Sequence, residues 1–109
     1  MLVKTEPDYP PTPKTIISLQ NGLIALVDPE LFEQLNAFHW HASQSFCCWY
    51  AVRWTTIDGK RKLIRMHRQV AETPEDLVCH HVNGNSLDNR KSNLMNVSEH
   101  YHAKLFSWR

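Results

Sequence analysis

The sequence has no stretch near the roughly eighteen uninterrupted apolar residues that a membrane-spanning helix needs, and its opening, MLVKTEPDYPPTP, places acids and prolines where a secretory leader carries its apolar run. Such a chain is expected to work where it is made, in the cytoplasm and away from the membrane. Regular cysteine spacing is also missing. Cys47 and Cys48 are adjacent and Cys79 stands alone, so the odd count and the lack of CxxC argue against a disulfide framework or a four-cysteine zinc site. All three read as reduced, buried thiols. Strong net charge is absent too, the formal value being +1, which by itself gives no reason to expect a polyanionic partner.

The distribution of charge says more than its sum. Residues 1–52 carry two lysines against five acids, a charge of −3, and residues 53–109 carry ten basic against six acidic residues, a charge of +4. Arg53, Lys60, Arg61, Lys62, Arg65 and Arg68 form the densest patch, interrupted by Asp58. That patch suits either phosphate neutralisation or a charged strand edge.

At 109 residues and 42% apolar, with four tryptophans, the chain fits one ordinary domain or two small modules sharing a core. The pattern predicts an α+β fold. Residues 1–14 hold four prolines and read as an extended arm. Residues 15–70 read as a small antiparallel sheet with a short helix: a strand at 23–27 after an Asn21–Gly22 turn, a helix opened by Asp28–Pro29 that turns Leu31, Phe32 and Leu35 inward, and strands at 38–42 and 46–55. A return strand at 62–67 follows the Asp58–Gly59 turn. Residues 71–109 read as strand 77–82, a turn-rich loop 83–90, strand 94–97 and a helix capped by Ser98.

Histidine is the abundant chemical resource. Of seven, His80, His81, His100 and His102 cluster around the polar loop, a pattern that favours a metal or acid–base site over four structural imidazoles. Neighbouring side chains on a strand face opposite ways, so His80 and His81 share a site only where the strand bends or ends, and Asn83–Gly84 offers that place. His102 on the last helix lies in position to meet His80 across the hairpin, while His100 sits about 200 degrees away from it on the helix. Asn93 has an amide suited to tying the loop ends, since it donates to one backbone carbonyl and accepts from one N–H. Cys79 reads as a core residue rather than a nucleophile, and His67 as a support beneath the site.

The run His80-His81-Val82-Asn83-Gly84-Asn85-Ser86-Leu87-Asp88-Asn89-Arg90-Lys91-Ser92-Asn93-Leu94 resembles the DHxNGNxxDNRxxNL signature of the HNH homing endonuclease family of bacteriophages. Met66-His67-Arg68 and Ala25-Leu26-Val27-Asp28 resemble the small phage members as well, so the likeness extends over residues 16–102. The resemblance implies a C-terminal ββα-metal, or His-Me finger, motif at 71–109. It also implies hydrolysis of DNA phosphodiester bonds, with His81 as the base that activates water, Asn93 holding the loop, and His80 with His102 as metal ligands. Position 80 is commonly aspartate in the phage proteins. Histidine there is similar to colicin-type members and enriches the ion's shell in nitrogen, which favours zinc, nickel or cobalt in binding strength, but cellular abundance and the family's common usage put magnesium first, with zinc, nickel, cobalt or manganese as alternatives.

The implied partner is double-stranded DNA, bound by a monomer. Its backbone would meet Arg53, Lys60, Arg61, Lys62, Arg65, Arg68, Arg90, Lys91 and Lys104. Homing relatives often carry a C-terminal helical DNA-binding region that the 109 residues do not include, so specificity is expected from residues 15–70, and a phage-encoded protein would act in the host cytoplasm. Two rivals remain: a DNA-binding protein that keeps the scaffold without catalysis, and a zinc-stabilised adaptor that uses His80, His102 and a cysteine.

Overall fold

The described strands form three antiparallel ladders, and the longest strand is rich in β-branched and aromatic residues. The protein is seen here as a computed structural model describing residues 15–46 and 48–107, the last three in backbone only. The expected arm at 1–14, Cys47 and Trp108 lie outside the described residues. Strand β1 (Ile16–Ser18) pairs with β2 (Ile24–Leu26), and Ile17 stands opposite Ala25. Between them Asn21 and Gly22 take φ of 60° and 75°, left-handed values that these two residue types tolerate best. Strands β3 (His41–Ser45), β4 (Cys48–Ile57) and β5 (Lys60–Arg65) form a sheet with β4 in the centre. The last ladder joins β6 (Val78–His81) to β7 (Leu94–Val97). Helices α1 (Phe32–Asn36), α2 (Met66–Ala71) and α3 (Glu99–Ser107) complete an α+β domain.

Three local expectations are corrected. The strand expected at 38–42 starts only at His41, because the aromatic run closes α1 instead: Phe38 N–H and Trp40 Nε1–H both donate to the Leu35 carbonyl, at 3.1 and 2.7 Å. The return strand expected to reach His67 stops at Arg65. Met66 and Val70, four apart and both buried, follow helical spacing, and that stripe prevails over the strand alternation before it. Asp28 precedes Pro29 as anticipated but makes no side-chain cap, and its Oδ2 instead accepts the Lys91 N–H at 2.8 Å. Ser98 does cap α3, its Oγ accepting the Tyr101 N–H at 3.1 Å. Tyr101 itself is exposed.

The core gathers Ile17, Ala25, Val27, Leu35, Trp40, Ala51, Met66 and Val70, against which Leu31, Phe32, Leu87 and Leu94 pack. Residues from both expected modules therefore share one interior. Backbone bonds join them as well: Leu26 N–H donates to the Leu87 carbonyl and Asn89 N–H to the Leu26 carbonyl, both at 2.8 Å, so the polar loop lies parallel against β2. Cys79 is buried, whereas Cys48 is only half-buried, against the expectation for it, and neither is in a disulfide. Among the described residues, no helix is long and apolar enough to cross a membrane.

Met66 links this interior to the histidine beside it, and its side chain has no exposed surface. Met66→Ala is expected to lower unfolding free energy by about 2–5 kcal/mol, the range for emptying a buried site of this size. Urea denaturation measures it, and a loss under 1 kcal/mol would mean that the site collapses freely.

Candidate active site

A loop of polar residues keeps one shape only if its backbone groups are satisfied, and residues 82–93 satisfy theirs partly from within and partly from Leu26 and Asp28. Asn93 accepts the Asn83 N–H on Oδ1 and donates from Nδ2 to the Asp88 carbonyl, each at 2.9 Å, drawing both ends of the loop together. Asn83 Oδ1 accepts the Asn85 N–H and Asn85 Oδ1 accepts the Leu87 N–H, two successive Asx turns. Asp88, 1% exposed, takes the Arg90 guanidinium on both oxygens at 2.7 and 2.6 Å and the Asn83 amide at 2.9 Å. The Arg90 hydrogen bonds hold its carboxyl below the usual range against the opposing effect of burial.

Strand β6 ends at His81, where this loop begins. Alternation is released there, and His80 and His81 line the same cleft, of about 360 Å³, together with His67, His102, Tyr50 and Arg65. The His80 and His102 rings stand edge to face, their centroids 5.3 Å apart. His81 lies 4.8 Å from His67 and 6.3 Å from Tyr50, centroid to centroid. The site thus divides into a pair, His80 with His102, and a packed trio of Tyr50, His67 and His81.

His81 Nε2 lies 2.9 Å from Asn89 Oδ1. A carboxamide oxygen only accepts, so this bond puts the ring proton on Nε2 and leaves Nδ1 as the basic nitrogen. Burial holds the His81 pKa below the ordinary value, with the Asn89 bond and the Asp88 charge acting the other way. For His67, burial, helped by His81, Arg65 and Arg68, pushes the pKa down to about 3. Both rings are neutral at pH 7, and a neutral imidazole is the form that accepts a proton.

Two imidazoles bound to one ion at about 2.1 Å have ring centres roughly 4.5–5.5 Å apart, so the spacing of His80 and His102 fits a shared cation. Among the described residues, no group of three or more His, Cys, Asp or Glu could hold a metal. A cation between the His80 and His102 rings would therefore find two protein nitrogens among the described residues, and any further ligands would come from solvent or substrate.

The basic residues are placed unevenly. Arg65 and Arg68 line the cleft, but Arg68 donates to the Leu77 and Pro74 carbonyls at 3.0 and 2.9 Å, which commits it to the backbone after α2. Arg90 is occupied by Asp88. Arg53 donates to Gln69 Oε1 at 3.0 Å and stacks 3.8 Å over the Phe38 ring, on the sheet face opposite Arg65. Arg61 stacks 4.4 Å over Trp54 on the same face as Arg65, and Lys60, Lys62, Lys91 and Lys104 are exposed. His100 is exposed as well.

Sequence reasoning missed Asn89, Asp88, Tyr50 and Ser86 as parts of this site. Ser86 donates from Oγ to the Trp49 carbonyl and so ties the loop to β4. Asp88 had a signal in the arginine two positions on, whereas Tyr50 had none, being one more aromatic in a strand. No family model, curated protein or solved structure matches the chain.

The depressed His67 pKa makes stability depend on pH. The unfolded imidazole, with a pKa near 6.5, binds its proton before the folded one does. Stability is therefore full above pH 6.5 and falls by about 1.4 kcal/mol per unit as the pH drops toward 3. Denaturation at pH 7, 5.5 and 4.5 should show that slope in the wild type and a flatter one in His67→Phe. Equal slopes would place the acid sensitivity elsewhere.

Proposed function

We propose that this chain is a metal-dependent endonuclease of the HNH kind, hydrolysing DNA phosphodiester bonds, and that its strand–loop–strand–helix segment serves as a His-Me finger. One observation carries the reading: a buried histidine with a fixed basic nitrogen shares a cleft with two further histidines that face each other from β6 and α3. Hydrolysis needs a water deprotonated and charge on the leaving oxygen offset.

His81 takes the first task. Its Nδ1 receives the proton of the attacking water, Asn89 holds the other nitrogen, and His67 with Tyr50 keeps the ring from turning. Asn93 does no proton transfer and fixes the loop from which Asn89 projects. His80 and His102 hold the divalent ion. When bound, that ion supplies positive charge against the negative charge that builds on the leaving oxygen. The nitrogen donors favour zinc, nickel or cobalt in binding strength, and abundance favours magnesium. Arg65 and Arg61, on one face of the sheet, are the cations best placed to meet the DNA backbone on the cleft side. The zinc adaptor needs a third ligand beside the pair, and the described residues lend it no support.

Supercoiled plasmid tests the reading. With magnesium, manganese or nickel the wild type is expected to nick it, and His81→Ala to nick about 10²–10⁴ times more slowly, the range for a lost general base. Plasmid left supercoiled under every ion, or cut equally fast by the variant, would end the proposal. His80→Asp gives the ion an oxygen ligand, so its ratio of magnesium-supported to nickel-supported nicking should rise. An unchanged ratio would remove His80 from the metal site.

A further inference from the structure

Phe46 is 99% exposed and lines the rim of the histidine cleft. It begins the two-residue connection between β3 and β4, where Ser45 pairs with Cys48, and its φ is 57°. Hairpin turns of two residues require positive φ at the first position, which glycine, asparagine and aspartate accept and a bulky aromatic resists. The chain follows that rule at its other such turn, where Asp58 and Gly59 take φ of 53° and 77° between the paired residues Ile57 and Lys60. Phe46 therefore combines backbone strain with full exposure of a ring, and neither helps the fold.

The surroundings indicate what the ring meets. Among the described residues the cleft lining includes Arg65 and Arg68, the latter bonded to the Leu77 and Pro74 carbonyls, and no carboxylate. Among the described residues no other exposed large apolar side chain lines this cleft, whereas a protein partner needs an apolar patch amounting to several hundred Å² and a nucleobase needs only one π-face. The Ser86–Trp49 hydrogen bond fastens this end of β4 to the loop that follows His81, so the strand that follows the turn is held at a set place relative to the histidines.

We propose that Phe46 is a base-stacking wedge that enters duplex DNA beside the phosphate being cut and unstacks a base step there. The cleft consequently prefers steps that open easily, pyrimidine–purine steps or mismatches, over stiff A-tracts. The inference rests on the nuclease reading of the same cleft, and the experiment separates the two.

Nick sites are first mapped with the wild type, and duplexes carrying 2-aminopurine at successive positions around a site are then bound in EDTA, with anisotropy following binding and fluorescence following unstacking. The wild type and Phe46→Trp should raise 2-aminopurine fluorescence severalfold near the nick. Phe46→Ala and Phe46→Gly should lose that rise and bind roughly tenfold or more weakly. Phe46→Gly should melt no lower than the wild type, since glycine takes the left-handed conformation without strain, which excludes misfolding as the cause. DNA nicked and bound by the wild type with no fluorescence rise, or with an equal rise in Phe46→Gly, overturns the wedge and leaves the nuclease standing. Absence of both nicking and binding overturns both. Self-association lost in Phe46→Ala while cleavage of every step type is unchanged would assign the ring to a protein contact and overturn the wedge alone.

Discussion

The site depends on a single amide. Asn93 holds the N-terminal end of the loop through Asn83 and its middle through the Asp88 carbonyl. Without those two bonds the Asn83 N–H and the Asp88 carbonyl would have to find other partners and the loop would lose the tie between its start, its middle and its end. Everything chemical hangs from that loop: Asn89 reaches His81, Ser86 reaches β4, and Asp88 gathers Arg90 and Asn83. Asn93 is itself buried, so its bonds form where water does not compete for the donors.

Much of this was legible before any coordinates, and the legible part is local. Strand β7 and the Ser98 cap follow from patterns only a few residues long, as does the Asp58–Gly59 turn, and the structure places each where the pattern put it. The approach of His80 to His102 could be anticipated because a strand–loop–strand–helix unit leaves few ways to arrange its ends. Boundaries failed where two periods competed, as at Met66, whose spacing to Val70 is helical although the preceding residues alternate. Asp28 shows another limit, because its partner, Lys91, lies far along the chain and local cap rules did not foresee it.

Of the floor and rim of the cleft, the sequence pointed to His67 alone, as a support beneath the site, and gave no sign of Tyr50 or Phe46. Tyr50, His67 and Phe46 come from β4, α2 and the β3–β4 turn, and reach His81 only because the three-stranded sheet and the final ladder share one core. The basic residues teach the same lesson in reverse. Arg68 and Arg90 looked like phosphate contacts by charge, yet their guanidinium groups are committed to carbonyls and to Asp88. A sequence gives charge, and only packing says whether that charge is already occupied.

Two departures from local rules border the same histidines. Phe46 takes a backbone conformation that its type resists, and the Nδ2 of Asn89, a residue 1% exposed, finds no hydrogen-bond acceptor among the described residues. A buried donor left unmade costs about 1–3 kcal/mol, and a bulky residue in the left-handed region a comparable amount. Elsewhere among the described residues the left-handed positions go to Asn21–Gly22, Asp58–Gly59 and Gly84, residue types that take them readily, and to Glu72 where it ends α2. A leucine at 89 would spare the orphaned donor but could not accept from His81 Nε2, and a glycine at 46 would relax the turn but carry no ring. The fold gives up stability at these two positions, one holding the basic histidine and the other standing over the cleft mouth, which is where a functional demand outweighs a local preference.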